Sequence, residues 1–175
     1  MGKKDPHTAD PESPAVVLFD YAVDRQDVKW LMNQLHVEAE VNRHTVEYEL
    51  QILKIISVGW SIAYHLENAP ARQPLLEAFW NAVRAYAQSL SQTTELMIGQ
   101  DIDYFQTLRD RLDTYLATMS ASSEKNDPAA VIGPAFAANC GNADDLFTRM
   151  AGAKMFMSVV RRVKTYLDHL AESTP

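Results

Sequence analysis

The chain has 175 residues, 47% hydrophobic and 22% charged, with a formal net charge of −7. That is ordinary globular usage, long enough for one domain to bury a real core. The acidic balance argues against a nucleic-acid partner, and a lone cysteine, Cys140, excludes an intrachain disulfide.

Residues 1–14 are rich in Pro, Lys, Asp and Ser and read as a disordered tail ahead of a single domain spanning 15–175. The tail lacks the apolar centre of a secretory signal. Pro6 stands where a myristoylation pattern starting at Gly2 needs Ser or Thr. Ala15 to Val23 is apolar and reads as a docking arm or short strand, because exposed Val, Leu and Phe gain by burial.

A first long helix is expected from Asp24 or Asp27 to Glu67. Its seam is Val41, Thr45, Tyr48, Ile52, Ile55, Gly59, Ile62 and Leu66, and steps of three and four share one side only on a helix. Its most apolar part, Ile52 to Leu66, is about 15 residues and carries Lys54 and His65, short of the roughly 20 that a membrane span needs. Asn68 to Pro74, with two prolines, stops the helix, and Pro74 suits the first turn of the next.

The second stretch repeats the pattern through Leu76, Phe79, Val83, Tyr86, Leu90, Thr94 and Met97, then Ile102, Phe105, Leu108, Leu112, Tyr115 and Met119. Gly99, with Asp101 as a fresh cap, leaves open one helix or two. A short loop between stretches of similar length predicts an antiparallel hairpin. Residues 120–127 read as a loop. Asp127-Pro128 opens a short helix that Gly133-Pro134 is expected to cut. Asn142 is expected to cap the last helix, whose seam is Leu146, Met150, Ala153, Met157, Val160, Lys164 and Leu167. Arg161, Arg162 and Lys164 form a small basic exception, explained by complementing a helix dipole. The fold expected is all-α: an antiparallel helical bundle of three long helices, one open to a break near Gly99, plus a short helix around 128–138.

His36, Glu40, His44 and Glu47 lie three or four apart, and His with carboxylate is a zinc or di-iron ligand set. At about 100° per residue, His36, Glu40 and Glu47 fall within roughly 40° of one another. Gln51, Lys54, Ser61 and His65 continue that direction, away from Tyr48 and Ile52. The whole strip therefore reads as a solvated polar face. The Glu-x-x-His pair of di-iron bundles does not occur in the chain.

Gly59-Trp60-Ser61-Ile62-Ala63 resembles the Gly-x-Ser-x-Gly nucleophile elbow of α/β-hydrolases, with His169 downstream. Ala63 replaces the last glycine, and helical flanks replace the strand–turn–helix setting. The structural reading is that Gly59 lets another helix come close. Cys140 reads as a buried, inert thiol despite a helix start nearby. The aromatic residues fall mostly on helical stripes and read as core packing, with a haem or apolar-ligand pocket as the alternative that spacing alone does not separate from it.

Between Ile52 and Leu66 the apolar arc widens to include Leu53, Ile56, Trp60 and Tyr64. A helix this apolar is either central in its own fold, under cover from 15–23 and 128–138, or covered by a partner. The functional expectation is a non-enzymatic cytoplasmic contact protein, such as an adaptor, scaffold or chaperone. It would self-associate as a homodimer through Leu53, Ile56, Trp60 and Tyr64, with no cofactor, membrane or nucleic acid. The alternative is a bundle that holds a metal through His36, Glu40, His44 and Glu47, or a small apolar ligand, and acts as a metal-dependent enzyme.

Overall fold

The computed structural model describes residues 13–35, 42–122 and 127–173. Among the described residues the chain is all-α, with seven helices and no strand. Four are long: α3 (Arg43–His65), α4 (Arg72–Ile98), α5 (Tyr104–Ala121) and α7 (Leu146–Ser173). Three are short: α1 (Pro14–Val23), α2 (Gln26–Gln34) and α6 (Pro128–Asn139). The expected three long helices and one short helix are thereby corrected, and each difference has a local cause.

The segment 15–23 is a helix, not an arm or strand. Pro14 supplies a pre-set φ in the first turn, and Ala15, Leu18 and Ala22 are buried at helical spacing. The helix expected over 24–67 is two helices. Leu35 turns to an extended conformation (φ −67°, ψ 129°) after α2. Asn42 then starts α3 afresh, its side-chain oxygen accepting from the Thr45 N–H at 3.2 Å. His36, Glu40 and Val41 lie outside the described residues, as do residues 1–12 of the expected tail.

Gly99 settles the second stretch as two helices. It takes the left-handed conformation (φ 67°) that ends α4, donating to the Glu95 carbonyl at 2.8 Å. Asp103, not Asp101, caps α5, accepting from the Gln106 N–H at 2.9 Å. Asp145, not Asn142, caps α7, its carboxylate accepting from both the N–H and the hydroxyl of Thr148 at 2.7 and 2.6 Å.

Gly133-Pro134 does not end α6, which runs through the proline to Asn139. Tertiary packing holds it there. A Cβ on Gly133 would lie 2.7 Å from the Arg149 carbonyl oxygen, and one on Gly152 would lie 2.6 Å from the Phe136 ring. The two glycines thus let α6 and α7 meet almost backbone to backbone.

The centre of the fold is α3. Every residue from Glu49 to Gly59 is buried, wrapped chiefly by α7 and further by α1, α2, α4 and α5. The Leu53 and Ile56 part of the wide apolar arc is therefore covered by the chain itself, while Trp60 is half-buried and Tyr64 exposed. Gly59 admits the Trp80 ring of α4, where a Cβ would sit 2.4 Å from the indole. The expected wet face is largely dry, since Gln51, Lys54 and Ser61 are buried.

The Gln51 amide nitrogen, the Lys54 amine and the Ser61 hydroxyl each find a protein acceptor in place of water. Gln51 donates to the Ala22 carbonyl at 2.9 Å. Lys54 donates to the Asp24 carbonyl at 2.8 Å, pairs with Asp27 at 3.0 Å and lies 4.4 Å from the centre of the Tyr21 ring. Burial holds the Lys54 amine below the usual lysine range, against the opposing pull of Asp27. Arg111 of α5 clasps the buried Glu49 carboxylate through two bonds of 2.9 and 2.7 Å. Ser57 and Ser61 donate to carbonyls one turn back.

On α7 the buried stripe is Thr148, Gly152, Met155, Val159, Val163 and Leu167. The expected seam is split: Leu146, Met150 and Met157 face outward, whereas Val160 packs against the core and Leu167 is buried.

Candidate functional site

That outward ladder leads into a groove of about 790 Å³, walled by α3, α5, α6 and α7. One wall is built at a four-residue spacing on α3. Trp60 stacks on Tyr64 with ring centres 4.7 Å apart and planes 12° from parallel. Trp60 also meets Phe156 of α7 at 5.2 Å, tilted by 53°. Met119 and Val160 continue the apolar lining. Tyr64 is 60% exposed, so the stack presents a flat aromatic face to the opening.

The rim carries charge. Arg161 and Lys164 border the groove on α7 and Asp127 borders it at α6. Lys164 is paired with Asp168 at 2.6 Å. Arg161 has no ion pair among the described residues, and it shares the rim of the groove with Asp127.

Of the four residues expected to form an interaction surface, Trp60 and Tyr64 line this groove. Leu53 and Ile56 are buried in the core beneath it and offer no surface. The lining from other helices, notably Met119, Met157 and Leu116, was not singled out from sequence. Met157 carried a signal all the same, as a member of an apolar ladder that ends in a lysine.

A second cavity, about 490 Å³, lies between the first half of α3 and the facing ends of α4 and α5. His44 and Glu47 both border it, as do Tyr48, Tyr86 and Tyr104. His44 is exposed, and Glu47 is engaged by the Arg25 guanidinium. The other two members of the suggested metal set, His36 and Glu40, fall outside the described residues. Among the described residues, no three His, Cys, Asp or Glu side chains come together as a metal-binding group.

The remaining chemical candidates are occupied structurally. Ser61 sits inside a continuous helix, its hydroxyl spent on the Ser57 carbonyl, so the nucleophile-elbow resemblance does not extend to geometry. Burial pushes the Cys140 thiol up to about 12, aided by Glu49 nearby, which keeps it protonated and unreactive. No helix of the described residues is long and apolar enough to cross a membrane. No family model, curated protein or solved structure matches this chain.

Proposed function

We propose that the protein is a non-enzymatic binding module whose groove receives an amphipathic helix of a protein partner. One observation carries the reading. The outer ladder of α7 is apolar yet uncovered, with Leu146 63%, Met150 44% and Met157 50% exposed, and it runs into the Trp60–Tyr64 stack. From Leu146 to Val160 this strip is roughly 20 Å long, about four turns of helix. A helix with apolar residues at three- and four-residue steps matches such a strip, and an acidic residue on it would answer Arg161.

Self-association is the same physics with a second copy as partner, and the adaptor, scaffold and chaperone roles all belong to this class. The test places a photo-crosslinking amino acid at position 64 and maps the adducts by mass spectrometry, alongside solution mass. Expected is one discrete adduct on a helical segment, weakened about tenfold by Arg161→Glu in a protein of unchanged thermal stability. A self-adduct with dimer mass assigns the partner to a second copy. Diffuse adducts, or adducts indifferent to Arg161→Glu, overturn the reading.

A further inference from the structure

We infer that the occupant of the groove is the tip of α4 from a second copy of this chain. This contact rests on the groove reading above for its receiving half. Leu96, Met97 and Ile98 are 88%, 78% and 60% exposed, three consecutive apolar residues in the last turn of α4. Gly99 then turns the chain aside in its left-handed conformation, leaving the three side chains projecting into solvent. Together they present roughly 400 Å² of apolar surface, the scale of patch that marks a contact site.

Charge selects the receiving surface. Glu95 and Asp101 flank the tip, both exposed and neither in an ion pair among the described residues. The chain carries a net charge of −7, so an acidic tip is repelled by much of a second copy. The groove differs, being an apolar hollow with Arg161 exposed on its α7 rim. Asp127 borders the α6 side of the same opening, so an entering tip turns its acids toward α7. The chain's own tip is in the wrong place for this contact. Thr94 and Ile102, beside the tip, share a cavity with His44 and Tyr48 at the start of α3, whereas Trp60 and Tyr64 stand at its end. Some 20 residues of α3 separate them, roughly 30 Å of helix. Tip and groove therefore lie at opposite ends of the central helix, and their contact joins unlike surfaces of two copies.

The test uses two variants of the full chain, changed only at exposed positions. Leu96→Gln with Met97→Gln removes the apolar tip, and Tyr64→Ala with Arg161→Glu spoils the groove. Sedimentation and thermal melting are measured on each and on their mixture. Expected is wild-type association that rises with concentration. Either variant alone associates at least about tenfold more weakly, at an unchanged melting temperature. An equal mixture of the two recovers a dimer, because one partner keeps its groove and the other its tip. A tip-to-tip or groove-to-groove contact would instead be lost in one variant and kept in the other. A second readout covers a variant that melts early: a photo-crosslinking amino acid at position 97, in a mixture of isotopically light and heavy chains, should form its adducts on α3 and α7 of another copy. A monomeric wild type, loss in one variant only, a mixture that stays monomeric, or position-97 adducts elsewhere each overturns the inference. The groove reading is then decided by itself, since position-64 adducts on a helix of a different protein keep it and diffuse adducts end it.

Discussion

His65 shows how one side chain can tie stability to pH. It closes α3 beside α7, with its Nε2 buried and unpartnered among the described residues. Burial holds the imidazole below its usual value, Lys164 adds to the depression, and a hydrogen bond to the Val160 backbone opposes both. An unfolded histidine titrates near about 6.5. Between the lowered folded value and that point the unfolded chain binds more protons, so stability rises with pH through the window and is lost on acidification. In urea titrations from about pH 7 to about pH 5, His65→Asn should lose stability less steeply than the wild type. An identical slope would show that other groups carry the acid sensitivity. Glu49 makes a complementary point. Its carboxylate is tolerable in the core because Arg111 reaches it from α5 with two bonds, a partnership 62 residues away in sequence that no local pattern reveals.

Helices are where sequence and structure agree best and where their disagreements teach most. The apolar spacing on α4 and α5 placed Phe79, Val83, Leu108 and Tyr115 in the core, and all four are buried. The same spacing on α7 found Val160 and Leu167 but also picked Leu146, Met150 and Met157, which are exposed. Periodicity finds an apolar face but does not say which of two competing faces meets a neighbour. The neighbours here are α3 and α6, and toward α6 the close approach depends on small size, through Gly133 and Gly152. Gly152→Ala should therefore cost about 1–3 kcal/mol of unfolding free energy, because the added methyl overlaps the Phe136 ring. Phe136→Leu in the same background should recover part of that loss, measured by thermal or denaturant unfolding. A neutral Gly152→Ala would mean that α6 slides freely on α7. Helix ends were less legible than helix faces. Several Asp and Asn residues competed as caps, and Asp103 and Asp145 won over Asp101 and Asn142 on geometry that one-dimensional reading does not contain.

For the molecule as a whole, the polar strip along α3 was the chief misreading, and it changes how the functional surface is located. A helix enclosed on every side repeats polar residues as regularly as a wet one when its neighbours offer carbonyls and carboxylates in return. Of the residues lining the groove, Trp60 and Tyr64 were legible in the sequence; the other lining residues come from α5, α6 and α7, which sequence order does not bring together. A separate apolar projection stands at the tip of α4, where Leu96 and Met97 are 88% and 78% exposed. Replacing both with Gln should leave the melting temperature within about 2 °C while reducing concentration-dependent association in sedimentation. Unchanged association would show that the α4 tip takes no part in it. Last, the amine of Lys54 is sealed beneath the first two helices and tethered to the corner between them. An acylating reagent in solvent can meet that nitrogen only when the N-terminal pair of helices lifts away, so the chain carries at its centre an internal gauge of its own breathing.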